Sequence, residues 1–469
     1  MSSVTIGLDV GTSALKVSVY SITDDKLVEN FSMKYQEDEI GIGISTVNKF
    51  VNTIITAINR VAETNNVQSV ALSTQMYSFV VRRNEEDIVY QWNVPWEKDP
   101  RVEKILERFT DRSGCPTDTL FPAYKILSAK NDPNFKGEIM PFGLQEAIVK
   151  QLTGHLAGDY CNLSSYGFLD VVNRTWNEEL LKLAGFSIED MPEIKKFNHS
   201  VGMIVHPEIH VDYPIYLACG LGDGPSASYA SSGTSSMAAN IGTSMAVRGF
   251  VKDISKIDFN KVWTYVVDEE TWVVGGISSN GSSVLDHFRK IDILKDWELD
   301  PSNADNSIMV YPWKYGERTP YWSSSLKETI VGGGMDTTKN DYSCAIIRGV
   351  AFSIASMYNE VYKVVSENKE MLVVAGGGAK SEILMEYLAG TLPVPIGILG
   401  DFDYLGSCGA AFVAAEAIGL TPSKRKNLYK IYNPTIKYAK LYGQWKENGD
   451  KLAKFYDTVD VNQQEVQLV

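Results

Sequence analysis

The sequence predicts an α/β protein of two similar domains, and three observations carry that prediction. A short pattern occurs twice about half a chain apart, as Leu8-Asp9-Val10-Gly11-Thr12-Ser13 and as Ala239-Asn240-Ile241-Gly242-Thr243-Ser244. Each copy lies between apolar β-rich stretches, Val4 to Val10 and Ala14 to Tyr20 in the first, Met237 to Ile241 and Met245 to Phe250 in the second, so each reads as a tight hairpin. At 469 residues the chain exceeds what one core supports, and two domains of about 200 residues or more are expected.

After the first hairpin, Val47, Phe50, Val51, Ile54, Ile55, Ile58 and Val61 recur at helical spacing, with Ser45 or Thr46 as the N-cap. A strand over Val67 to Leu72 completes a β-β-α-β alternation. Helices are expected at Val102 to Thr110, at Leu144 to Leu152 ending on Gly154, and at Asn177 to Ala184 ending on Gly185. The first domain is expected over 1–214 and the second over 215–469. The second opens with a strand at Ile215 to Cys219 and the turn Gly220-Leu221-Gly222-Asp223-Gly224-Pro225, where Pro starts a helix. Beyond the second hairpin come a strand at Thr271 to Val274, a helix after Gly281 and a long apolar helix at Ala345 to Val365. Then follow a strand at Met371 to Val374, Gly376-Gly377-Gly378-Ala379, a helix at Glu382 to Leu388, a strand at Val394 to Ile398 and a small-residue helix at Ser407 to Ile418. The tail after Gly419 reads as a helix or two on the outside.

A net charge of -14 argues against nucleic acid as a partner, since that binding rests on Lys and Arg neutralising phosphates. A nucleotide stays compatible, because backbone amides and a divalent cation can bind a polyphosphate on an acidic surface. Five scattered cysteines include no C-x-x-C pair, so neither a disulfide framework nor a zinc site is indicated. No leader precedes the first strand, and the apolar runs fall short of the ~18 residues of a membrane helix, so a cytoplasmic protein without membrane contact is expected.

A Gly-Thr-Ser turn presents backbone N–H groups and two hydroxyls at a hairpin tip, and two facing tips could grip one polyphosphate. Asp9 alone reads best as a turn residue bonding its own backbone. Lys16, four residues beyond Thr12 on the returning strand, favours phosphate work, with an acid for hydrated magnesium and a cation for phosphate oxygens. Asp223 has glycines on both sides, which leave one carboxylate with the exposure that a general base needs; as a helix N-cap it would have a structural role instead. The triple glycine lacks G-x-G-x-x-G spacing, and no G-x-x-x-x-G-K-[ST], H-E-x-x-H or G-x-S-x-G occurs, so Rossmann, P-loop, metal-hydrolase and α/β-hydrolase readings lose support.

With these pieces in order, the chain resembles the FGGY carbohydrate kinases of the actin-like ATPase superfamily over almost its whole length. The D-x-G-T-x-x-x-K motif of that family is met by Asp9, Gly11, Thr12 and Lys16, and its G-x-x-D turn by Gly220 and Asp223. Ile241-Gly242-Thr243-Ser244 meets L-G-T-S, Gly376 to Ala379 meets the adenine-binding G-G-G-[AS], and Gly406 to Ala415 meets the closing small-residue helix. The resemblance implies two ribonuclease-H-like domains around a deep cleft, with sugar held mainly by the first and ATP mainly by the second. It makes Asp223 the catalytic base and Asp9 the water-mediated magnesium residue. Gly11, Thr12, Ser13, Lys16, Gly242, Thr243, Ser244, Gly376, Gly377, Gly378 and Ala379 become the ATP contacts.

On the sugar side, Gln75-Met76-Tyr77-Ser78 corresponds to Q-M-H-[GS], with Tyr77 in place of His. Trp96 resembles the Trp of W-x-D-x-R, but the acid and base come one residue late, as Asp99 and Arg101. Leu120 to Asp132 resembles a family signature around Lys125, with Ser128 where Trp is usual. Gly275 to Gly281, which includes Asn280, and Gly316 to Trp322 look like the G-G-x-x-N-N-G and G-E-R-A-P of gluconate kinases. Gluconate is therefore the favoured substrate, with Arg318 or Lys125 toward its carboxylate, and xylulose or another ketose or polyol is the alternative. The implied partner is a small sugar or sugar acid, with a homodimer left open. An actin-like ATPase switch, such as a chaperone or a sugar-responsive repressor, is the reading from another class. Against it, the first strand begins at Val4 with no DNA-binding helices ahead, and about fifty residues follow Gly419.

Overall fold

The computed structural model describes residues 1–36, 40–232, 235–293, 299–365, 370–400, 402–424 and 428–466. The chain divides into two units. The first comprises Met1–Gly233, Val251–Val273 and Asp403–Arg425, and the second Thr234–Phe250, Val274–Phe402 and Lys426–Val469.

The sheet of the first unit runs Ser200–Met203, Tyr216–Gly222, Asn65–Thr74, Ser2–Val10, Ala14–Ser21, Lys26–Lys34. Ser2–Val10 and Ala14–Ser21 pair antiparallel across the Gly-Thr-Ser turn, as the alternation predicts. Asn65–Thr74 lies parallel to Ser2–Val10, and Tyr216–Gly222 lies parallel to Asn65–Thr74. Helix Val47–Ala62 has the expected bounds, and the Thr46 side chain accepts from Lys49 N as its N-cap. Its apolar face shares one core with helix Leu144–Thr153, which ends at Gly154 in the left-handed conformation that glycine adopts without strain.

The first unit extends past the boundary expected at residue 214. Strand Tyr216–Gly222 joins its sheet, and helix Leu405–Glu416, expected with the second domain, packs on it as well. Gly7 is the reason this helix comes so close: a Cβ there would lie 1.9 Å from Ser407 O and 2.2 Å from Ala411 N. Thr5 Oγ1 donates to Ala411 O at 3.1 Å, and Ser18 and Ser407 share a hydrogen bond of 2.7 Å. Small residues on the helix match the glycine on the strand.

In the second unit, strands run in the order Trp272–Ser278, Met245–Val251, Met237–Ile241, Leu372–Ala375, Ile396–Leu399, Leu428–Tyr432. The second hairpin forms as expected, antiparallel across Gly242 to Ser244. Two elements differ from expectation. The long helix starts earlier, at Lys339, because Thr338 and Asp341 form a capping box ahead of the apolar run. The tail contributes a strand, Leu428–Tyr432, paired antiparallel with Ile396–Leu399, before helix Ala439–Val466. That helix anchors through Trp445, stacked on Tyr311 at 4.9 Å with its indole N–H donating to Val310 O. Among the described residues no helix is long and apolar enough to cross a membrane.

Candidate active site

In the first unit three strands end in one row. Val10 is the register partner of Thr74, and Thr74 that of Gly222. The groups singled out from sequence follow or flank those ends: Asp9 beside Val10, Gln75 after Thr74, and Asp223 after Gly222. Parallel strands in register have thus brought together side chains far apart in sequence.

Asp9 faces Lys16 across the hairpin as its register partner and accepts a 2.8 Å hydrogen bond from Ser73 Oγ. Gly406 lies against the carboxylate, since a Cβ there would be 2.7 Å from Asp9 Cγ. Burial, and next the charge of Asp223, raise the Asp9 carboxyl to about 6, while Ser73 and Lys16 pull it down. One ionisable carboxylate beside a phosphate-type turn suits magnesium, which keeps most of its waters. Among the described residues no cluster of three or more His, Cys, Asp or Glu could hold a metal by itself.

Asp223 is exposed and is the first residue of helix Asp223–Ser231, whose N-cap is Gly222. The capping role weighed from sequence thus falls to the glycine. The Asp223 carboxylate accepts from Gly224 N at 2.7 Å. A side chain at 222 would strike Met76, 2.5 Å from its Sδ, so Met76 packs directly behind the acid.

Gln75 is buried, and its amide nitrogen has no hydrogen-bond partner among the described residues. Its Oε1 accepts from Thr12 Oγ1 at 3.4 Å, and Thr12 Oγ1 in turn accepts from Trp92 Nε1 at 3.0 Å. The Thr12 hydroxyl therefore ties the hairpin tip to the Gln75 loop, while Gly11 and the exposed Ser13 complete the tip. Tyr77 has a positive φ of 64° and is held by a hydrogen bond from Tyr265 Oη at 3.2 Å and an edge-on contact with Phe121.

Trp96 is half-buried in an aromatic cluster with Phe79 and Phe135. Trp92, which sequence reasoning passed over, is 40% exposed and bonded to Thr12. Its only signal was a second Trp four residues ahead of Trp96. Asp99 caps helix Pro100–Leu106 and holds Arg101 through two side-chain hydrogen bonds of 3.0 and 2.7 Å, so the late acid and base serve one another. Lys125, 1% exposed, donates to the carbonyls of Trp92 and Gln91 and fixes the loop that carries Trp92.

In the second unit the hairpin tip rests on the start of helix Ser282–Lys290. Gly242 O accepts from Ser282 N at 2.7 Å, and Thr243 O accepts from Ser283 Oγ at 2.9 Å. In trans peptides the next amide points opposite to each carbonyl, so the N–H groups of Thr243 and Ser244 face away from the helix. Gly376 has φ of 92°, and a Cβ there would lie 2.5 Å from Ile241 O; a Cβ at Gly378 would lie 2.3 Å from Ile241 Cγ2. Both glycines seat the bend, with the buried Ala379, against the hairpin. Gly377 differs: among the described residues nothing beyond its chain neighbours lies within 4 Å of its Cβ position.

Asn280 is fully buried and spends its amide on Gly316 O at 2.6 Å and on Tyr315 N at 3.2 Å. Ile277 N donates to Thr319 Oγ1, and Arg318 Nη1 to Ser279 Oγ at 2.7 Å. The 275–281 and 316–322 segments are thus one hydrogen-bonded body. Glu317 within it is raised to about 7 by burial, against hydrogen bonds from Ser278 and Asn280 and the charge of Arg318.

Two family models match the chain, the N-terminal domain of the FGGY family of carbohydrate kinases over residues 4–228 and the C-terminal domain of that family over 229–418. The gluconokinase of Bacillus subtilis (strain 168) is 22% identical, with 89% of this chain and 88% of that protein covered. The xylulose kinase of Staphylococcus xylosus is 26% identical, with 80% and 83% covered. Among solved structures, gluconate kinase from Lactobacillus acidophilus superposes with a TM-score of 0.84 at 23% identity, covering 98% of this chain and all of that one.

Proposed function

The chain belongs to the FGGY family of carbohydrate kinases, and on that premise we propose that it transfers the terminal phosphoryl group of ATP to a primary hydroxyl of gluconate. The observation that carries the proposal is the row of strand ends that sets the exposed Asp223 near the half-buried Asp9. In this reading Asp223 takes the proton of the attacking hydroxyl, and Lys16 and the amides of the first Gly-Thr-Ser tip meet phosphate oxygens. Magnesium, held through water by Asp9, supplies charge neutralisation on the phosphates when it is bound. The buried Gln75 amide nitrogen has a donor for a sugar hydroxyl, and Trp92 and Tyr77 offer the flanking surface. The first unit is proposed to hold mainly the sugar and the second mainly the nucleotide.

Gluconate is favoured over xylulose because the 275–281 and 316–322 segments look like those of gluconate kinases and form one hydrogen-bonded body. Lys125, enclosed among carbonyls, is the weaker choice for a carboxylate partner. A panel of sugars, polyols and sugar acids in a coupled ADP assay decides. Gluconate should lead; if D-xylulose or a polyol exceeds it in kcat/KM by about tenfold, about 1.4 kcal/mol of transition-state preference, the gluconate assignment is lost. Sugar-dependent ADP release with any of them separates a kinase from a nucleotide-driven switch.

The open space at Gly377 supports a place for the adenine ring and makes a clean variant. A Cβ at 377 has open space among the described residues, so the melting temperature of Gly377→Val should stay close to that of the parent. The KM for ATP is expected to rise about tenfold and that for sugar to hold. A reversed pattern would assign the bend to another ligand.

A further inference from the structure

A closed polar network lies beneath the Gln75 to Tyr77 loop. Thr74 Oγ1 donates to Gln145 Oε1 at 2.6 Å, and Gln145 Nε2 donates to Asp159 Oδ2 at 2.5 Å. Asp159 Oδ1 accepts from Cys161 N and Asn162 N. Glu146, the next residue on the helix, accepts from Tyr166 Oη, Gly143 N and Asn162 Nδ2. Thr74, Gln145, Glu146 and Asp159 are all fully buried. Around the Asp159 carboxylate stand Glu146, Tyr166, Cys219 and the Glu193 and Lys195 of the neighbouring strand, where Lys195 pairs with Glu193. Among the described residues no cation forms an ion pair with Asp159 or Glu146. Burial raises Asp159 to about 7 and Glu146 upward as well.

Two buried carboxylates without a cation are costly, and capping the short helix Tyr160–Ser164 does not demand one, since Asn or Ser would serve. What a carboxylate offers is direction. Both Asp159 oxygens accept, Oδ1 from Cys161 N and Asn162 N and Oδ2 from Gln145 Nε2, so Gln145 turns its NH₂ toward Asp159 and its oxygen toward Thr74, and the Thr74 hydroxyl then donates. The same helix start also holds the far end of the loop, because Leu144 N donates to Ser78 Oγ at 3.1 Å. Gly143 permits that approach: a Cβ there would lie 2.7 Å from Ser78 O. Between these two anchors sits Tyr77 with its positive φ, a conformation that persists only where the surroundings enforce it.

We propose that Asp159 is a positioning residue for the sugar. Acting through Gln145 and Thr74, it holds the start of the loop that carries Gln75, Met76 and Tyr77, whose far end Leu144 N holds at Ser78. The proposal rests on that loop being the sugar side of a kinase site, and two separate readouts keep the two ideas apart. In Asp159→Asn an NH₂ meets the Gln145 NH₂, the amides must flip, and Thr74 loses its acceptor. The KM for sugar is expected to rise about tenfold while that for ATP stays within about twofold. Amide hydrogen exchange at residues 75–78 should accelerate, with the second unit unchanged. Adding Gln145→Glu places the carboxylate one link nearer to Thr74, restores its acceptor, and should recover both readouts. Should Asp159→Asn not fold, Thr74→Val, which removes only the last donor, is to show the same split. Equal rises in both KM values, unaltered exchange in a folded variant, or no recovery in the double variant would overturn the proposal. If the parent protein releases no ADP with any sugar, the kinase reading fails, and the exchange measurement alone decides whether Asp159 holds the loop.

Discussion

Asp223→Ala is expected to lower sugar-dependent ADP release by about 10² to 10⁴ while nucleotide binding survives, since removal of a general base typically has that effect. The structure makes this variant informative. Asp223 is exposed, the helix N-cap is Gly222 rather than Asp223, and its carboxylate accepts from Gly224 N. Stability should therefore change little, and the loss should appear in kcat. Asp223→Asn, which keeps the shape and removes the basicity, should match the alanine variant. Turnover near the parental rate in either folded protein would take Asp223 out of the proton transfer.

Asp9→Asn is expected to reduce turnover by about 10² or more, because the site loses the charge proposed to face hydrated magnesium. The same change should make the protein more stable at pH 7.5. Asp9 is raised from 3.8 to about 6, chiefly by burial and then by Asp223. The folded state therefore binds this proton more tightly than the unfolded chain does. The stabilisation from the neutral form is fully present below about 3.8 and is lost as pH climbs through about 6. Asn mimics the neutral form, so a gain of about 1–3 kcal/mol should appear above pH 6 and vanish near pH 4. Urea unfolding at pH 4 and 7.5 checks the sign; a variant that is less stable at pH 7.5 would mean that Asp9 is chiefly a structural group.

Much of the fold was legible because its determinants are local. Alternating β-branched residues around Gly-Thr-Ser specify both hairpins, and the spacing from Val47 to Val61 with Thr46 ahead specifies a helix to its ends. The glycines at 376 and 378 owe their place to a contact that the sequence does not show, a close approach to Ile241. The unexpected features depend on partners distant in sequence. Helix Leu405–Glu416 joins the first unit because Gly7, about 400 residues earlier, leaves room for its backbone. The tail strand Leu428–Tyr432 has little apolar alternation and is ordered by its pairing with Ile396–Leu399.

The candidate site divides in the same way. The residue types that can carry phosphoryl transfer, Asp9, Lys16, Asp223 and the two Gly-Thr-Ser turns, were determined by the sequence, since each needs only its own turn or strand end to be recognised. Which aromatic ring lies exposed, and which polar groups serve the fold, was decided only by tertiary packing. Trp96 goes into a cluster and Trp92 onto Thr12, Asp99 and Arg101 satisfy each other, and Asp159 reaches the Gln75 loop through two other side chains. A turn motif carries its geometry within a few residues. Burial and hydrogen-bond direction belong to neighbours that meet only when the strands and helices have packed.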